Sequence, residues 1–181
     1  IDCSMGLTPC GGVIMGTRAG DLDPGLVLYL LRLQGGAAAD AADAVEQLLN
    51  KRSGMLVLSA LSNDMRVLRD AEKNGNRQAA FAIEAFVLSV KKAIGGFVAL
   101  MGGLDALVFS GGIGEHDSIT RAQVCAGMDA FGLMLNPEEN DATHAGPGVI
   151  SQKGSKIVAY VLAAEEDRVI AGHVARLAAR K

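Results

Sequence analysis

Leu104–Ser110 (LDALVFS) runs directly into Gly111–His116 (GGIGEH), and the order of these two pieces decides the fold. An apolar run of this length bounded by glycine, without polar alternation, predicts a buried strand of a parallel sheet. The glycine-rich turn then leads to a helix that opens at Asp117–Ser118 and runs towards Phe131, with Gly132 as its stop. Upstream, Ile83, Phe86, Val87, Val90, Ile94, Phe97, Val98 and Met101 recur at three- and four-residue steps. That spacing predicts one long helix over about 76–101, closed by Gly102–Gly103. Downstream, 137–148 reads as a polar loop and Lys156–Val161 as a second strand. A final helix follows from Glu165 to Arg180, with Val169, Ile170, Val174 and Leu177 facing inward. Strands alternating with helices make the chain α/β.

The first hundred residues add helices. Asp23–Pro24 gives an N-cap followed by proline at the first helical position, and the leucines from Leu26 to Leu33 carry a helix to Gly35–Gly36. Ala39–Arg52 follows, with Ala42, Val45, Leu48 and Leu49 on one face and Gly54 beyond its end, so the two form a helical pair. Ser62–Asp64 opens a short third helix that closes near Gly75. Ile1–Ser4 reads as the end of a strand entering a turn, which makes Ile1 an interior position of a longer polypeptide.

Composition narrows the function classes. Seventeen Lys+Arg against 20 Asp+Glu leave a formal charge of −3, so there is no basic field for a nucleic-acid backbone. Apolar stretches are broken well before the roughly 20 residues of a membrane span, and no signal segment opens the chain. Cys3, Cys10 and Cys125 are odd in number and lack metal-ligand or redox spacing, which fits a reducing compartment. A soluble cytoplasmic protein is expected. The 23 glycines, about twice the usual share, stand singly or in pairs at the edges of apolar segments, as the tight turns of a nucleotide site would leave them.

Four segments could carry chemistry. A strand, GGIGEH and a helix are the parts of an anion or nucleotide cradle, because absent Cβ atoms admit the ligand and a helix start offers free N–H groups. The same residues also serve as a tight strand-to-helix connection. They match neither the G-x-G-x-x-G spacing nor a P-loop. In Met15–Pro24 (MGTRAGDLDP), Arg18 is close to glycines on both sides and can reach a phosphate; an Arg–Asp surface pair is the alternative. Asp64 and Arg66 sit two apart at a helix start, where an Asp is common for capping alone. Glu165–Asp167 could supply a Mg²⁺ contact through water, or simply suit the helix dipole. His116 could face a nucleotide; His144 and His173 read as solvated.

Taken together, DCSMGLTP running into MGTRAGDLDP, SNDMR, FSGGIGEHDSITR and the acidic cluster with VIAGH resemble the acetate kinase family, the acyl-phosphate kinases of acetate and propionate. The similarity covers essentially the whole of 1–181 and corresponds to the C-terminal half of a family protein. It implies an actin-like ATPase fold with two ribonuclease H-like domains, of which this chain is most of the second, nucleotide-binding one, incomplete at its N-terminus and without its first strands, and a terminal helix, 164–181, that contacts the absent N-terminal half. It implies phosphoryl transfer between Mg²⁺·ATP and a short-chain carboxylate, giving ADP and an acyl phosphate, in a homodimer. Arg18 matches the arginine that stabilises the group in flight. Asp64, Met65 and Arg66 match a nucleotide-binding segment, and Gly112, Ile113, Gly114, Glu115 and His116 match the turn around the adenosine. Glu166, or Glu165 in a register moved by one, matches the Mg²⁺-associated glutamate. His116 replaces a usual Asn, Ala163–Ala164 a usual Pro–Thr, and Cys10 an aliphatic residue. The alternative function is a non-catalytic nucleotide-binding module of the same superfamily.

Overall fold

Asp23 accepts a hydrogen bond from the Gly25 amide at 2.8 Å and Pro24 takes the first helical position, so α1 (Pro24–Gln34) begins where its capping residues predict. The computed structural model describes residues 2–144 and 146–179. By its internal packing the chain divides into two units, Ile1–Gly103 and Leu104–Lys181.

In the first unit α1 packs on α2 (Ala38–Lys51), and both α3 (Gly54–Ser59) and α4 (Met65–Lys73) pack on α5 (Arg77–Met101). The expected long helix is α5. Its start is fixed by Asn76, whose side chain accepts from the amides of Gln78 and Ala79, and its end by Gly102 in the left-handed region. Ala79, Ala82, Ile83 and Val87 on α5 meet Met55 of α3 and Met65 and Leu68 of α4 in the buried core. Burial of a side chain as large as Leu68 or Ile83 is worth about 1.5–3 kcal/mol.

The second unit holds a three-stranded sheet in the order β1–β3–β2. β1 (Ala106–Phe109) pairs in parallel with β3 (Val158–Val161), with Ala106 opposite Val158 and Phe109 opposite Val161. β2 (Gly148–Val149) lies antiparallel to β3 on its other side. Between β1 and β2 run α6 (Gly111–His116), α7 (Ser118–Cys125), a 3-10 turn (Met128–Phe131) and α8 (Pro137–Ala142). α9 (Glu166–Ala178) follows β3.

Several expectations need correction. Ile1 lies outside the described residues, and Asp2–Ser4 form no strand. Gly54 opens α3 rather than ending α2, and the loop expected at 137–148 contains α8, capped by the Asn136 side chain. The glycine-rich turn is itself a short helix, α6. The helix expected from 118 to 131 breaks at Ala126–Gly127, because Gly127 takes φ +81° and only the last four residues resume as a 3-10 turn. β1 is parallel as predicted but not buried on both faces: Ala106 and Val108 share one exposed face, Val108 at 49%, while Phe109 on the other is buried. On α9, Val169, Ile170, Val174 and Leu177 are 60–65% exposed rather than inward-facing.

Candidate functional site

The loop that carries Arg18 is held by backbone. The amides of Ser53, Met55 and Leu56 donate to the carbonyls of Thr17, Met15 and Gly16 at 3.0, 2.9 and 2.9 Å. The N–H groups at a helix start have no partner within the helix, and here three successive loop carbonyls satisfy those around the start of α3. Thr17 Oγ1 adds a bond to the Asn50 carbonyl at 2.9 Å, and the Ala19 amide one to the Leu49 carbonyl at 3.1 Å. Gly54 makes this approach possible: at φ +64°, a Cβ there would collide with the Met15 carbonyl oxygen and stand 2.7 Å from that of Arg18. A Cβ at Gly16 would lie 3.2 Å from the Asn63 carbonyl oxygen, so the same loop packs against the segment that opens α4.

Within this clamp the Arg18 guanidinium is half-buried and poorly matched. Its Nη1 meets Met15 Sδ at 3.7 Å, a weak acceptor, and its Nε is buried with no hydrogen-bond partner. A guanidinium fork suits two oxygens of a carboxylate or phosphate, and a buried unsatisfied N–H costs about 1–3 kcal/mol. The arrangement fits an anionic ligand.

Asp64 caps α4, accepting from the Arg66 amide at 2.9 Å, and the Arg66 side chain returns to it at 2.7 Å through Nη2 and 3.2 Å through Nε. The side-chain hydrogen bond from Arg66 is the main cause that holds the Asp64 carboxyl below its ordinary pKa, and the same bond raises that of Arg66. Arg66 is exposed, whereas the Met65 side chain is in the core, so only the backbone of Met65 could meet a nucleotide.

Gly112, Ile113, Gly114, Glu115 and His116 all lie in α6. Nothing stands within 4 Å of a Cβ built at Gly112, which leaves its backbone open to a ligand. Gly114 differs. A Cβ there would sit 3.3 Å from the Phe109 carbonyl carbon, so its smallness serves the packing of α6 on β1. His116 is exposed. The Glu115 carboxylate is buried and accepts from the amides of Gly111 and Ala164. Glu166 is the first residue of α9 and exposed, while its neighbour Glu165 pairs with Arg168 at 2.6 Å. Among the described residues no group of three or more His, Cys, Asp or Glu side chains could hold a metal ion. Glu166 therefore fits Mg²⁺ as one contact and not as a site.

Arg121 was missed by the sequence reading. Fully buried, it donates to the carbonyls of Gly114 and Glu115 at the end of α6 and to those of Asn140 and Thr143 on α8 and just beyond it, and to Asn140 Oδ1. Desolvation is the main cause lowering its pKa. A groove of about 450 Å³ between α5 and the loop before α1 is lined by Asp2, Ile14, Asp21, Ser89, Lys92 and Phe97 among others, and includes none of Arg18, Asp64–Arg66, Gly112–His116 and Glu166. Among the described residues no helix is long and apolar enough to cross a membrane.

The sequence model described as "Acetokinase family" matches residues 1–172. The acetate kinase of Porphyromonas gingivalis strain W83 is 40% identical over 171 residues, covering 94% of this chain and 42% of that protein. The acetate kinase of Chloroherpeton thalassium is 40% identical over 183 residues, covering all of this chain and 43% of that protein. Among solved structures, acetate kinase from Entamoeba histolytica superposes with a TM-score of 0.85 at 29% identity, over 96% of this chain and 44% of that one. A propionate kinase from Francisella tularensis gives 0.77 at 34%, over 90% and 40%. The chain thus spans roughly two fifths of the length of these relatives and has their α/β fold, of the actin-like ATPase class.

Proposed function

The chain belongs to the acetokinase family, and from that premise we propose that it is part of a phosphotransferase that moves the γ-phosphoryl group of ATP reversibly to a short-chain carboxylate such as acetate or propionate. A carboxylate oxygen attacks the γ-phosphorus, the bond to the bridging oxygen of ADP breaks, and ADP leaves with the bonding pair as the acyl phosphate forms. Charge then spreads over the three equatorial oxygens of a loose transition state, so catalysis rests on positioned cations and dipoles.

The observation that carries this reading is the Arg18 Nε, buried and without a partner at the rim of a backbone-clamped loop. Arg18 meets the transferring phosphoryl, and the clamp by α3 keeps the guanidinium from having to be ordered during the reaction. Asp64, Met65 and Arg66 are assigned to the nucleotide, with Met65 acting through its backbone. Gly112, Ile113, Gly114 and His116 are assigned to the adenosine, the open face of Gly112 supporting close backbone approach; the buried Glu115 carboxylate, held by the Gly111 and Ala164 amides, is not. Bound with the nucleotide, Mg²⁺ would offset the charge of its phosphates, and Glu166 is the residue of this chain that would help to hold it. The acyl pocket and further catalytic groups belong to the remaining part of the protein, its N-terminal half, which α9 (Glu166–Ala178) contacts; the helix expected over 164–181 is described only to Ala179. A homodimer in the cytoplasm completes the reading.

Arg18→Ala in the full-length protein tests it. The expected result is a fall in kcat of about 10³-fold or more with ADP affinity nearly unchanged, because the lost interaction belongs to the transition state. An unchanged kcat removes Arg18 from the mechanism.

A further inference from the structure

We propose that Glu115 is a positioning residue whose carboxylate ties the start of α6 to the segment that opens α9, fixing Gly112 and Glu166 in one relation. This rests on the reading of those two residues as nucleotide and Mg²⁺ contacts.

β1 and β3 are parallel neighbours, and their ladder continues one residue past the end of β3, the Leu162 amide donating to the carbonyl of Phe109, the last residue of β1, at 2.9 Å. Both chains therefore leave the sheet side by side, one into α6 and the other towards α9. Past that point the amides of Gly111 and Ala164 have no strand partner. Glu115 Oε1 accepts from both, at 2.8 and 3.0 Å, the bond to Ala164 reaching across 49 positions of sequence. Bonds from N–H groups to an ionised carboxylate are about twice as strong as neutral ones, and this carboxylate is 9% exposed, so little water competes for it.

The same geometry argues against Glu115 as a nucleotide contact. A carboxylate facing phosphates repels them, and its Oε1 is already committed to two backbone donors. Its effect on a ligand passes through what it holds: Gly111, the first residue of α6 at φ +73°, with Gly112 next, and Ala164, two residues before Glu166.

The full-length protein is compared with Glu115→Gln, Glu115→Asp and Glu115→Ala. The amide oxygen of Gln can accept from both donors; Asp is one methylene too short to span them. Glu115→Ala and Glu115→Asp should raise the ADP Kd and the Mg²⁺ concentration for half-maximal turnover together, each by about tenfold or more, while Gln restores most of both. Glu115→Gln falling as far as Ala with the fold intact overturns the proposal in favour of direct contact by the charge. An unchanged Kd and Mg²⁺ requirement in folded Glu115→Ala overturns it as well. Amide hydrogen exchange separates this from the enzyme assignment. Gly111 and Ala164 should be protected in the wild type and in Gln, and exposed in Asp, whether or not acyl phosphate is made. Unprotected amides in the wild type would remove the tie itself.

Discussion

Gly54→Ala should damage the protein twice, once in stability and once in turnover. The residue sits at φ +64°, where an L side chain costs about 1–2 kcal/mol. The added Cβ would also collide with the Met15 carbonyl and press on that of Arg18, 2.7 Å away. Those neighbours are backbone atoms, so relief requires the Arg18 loop to move, and forced overpacking of this kind costs about 1–3 kcal/mol. The sum is about 2–5 kcal/mol, read as a lower urea midpoint at unchanged slope. Movement of the loop also lengthens the bonds from Met55 and Leu56 to Met15 and Gly16, so kcat should fall more than nucleotide affinity. Ala60→Gly is the control: Ala60 already takes φ 50° at the end of the same helix, so glycine there should be neutral or stabilising within about 1 kcal/mol. Gly54→Ala with wild-type stability and kcat would refute the clamp.

Two further outcomes follow from the polar groups. Arg121→Met should destabilise by at least about 3 kcal/mol in chemical denaturation, because it strips the donors from buried carbonyls of Gly114, Glu115 and Asn140. Arg66→Ala should let the Asp64 carboxyl rise towards its ordinary pKa in an NMR titration. The sign follows from the depressed value: the Asp64 cap contributes above the ordinary pKa and is lost as pH falls through the depressed one, so Arg66→Ala should lose it at a higher pH.

What the sequence made legible was whatever repeats or caps. The stripe on α5 recurs from Ile83 to Met101, about five turns, and Asp23, Asp64 and Asn76 are side chains whose capping bonds are local, so their helices begin where predicted. The short helices α3, α6 and α8 are too brief for a period to show, and glycine at the start of two of them reads as a stop or a turn. The apolar side of α9 was visible, but a stripe does not say what covers it, and Val169, Ile170, Val174 and Leu177 are exposed. Arg18 could be nominated because glycines lie close to it on both sides. Its clamp could not, since its backbone bonds join groups that lie far apart in sequence, Ala19 with Leu49 and Met15 with Met55. Arg121 reads as a surface charge until its carbonyl acceptors, brought from two helices, are seen.

Hydroxylamine trapping of acyl phosphate, with Mg²⁺·ATP and acetate or propionate on the full-length protein, tests the central claim most directly. The account predicts acyl hydroxamate formed in step with ADP, at a rate that collapses in Arg18→Ala. Nucleotide binding without hydroxamate from either acid would contradict it and leave a nucleotide-binding module in place of a kinase.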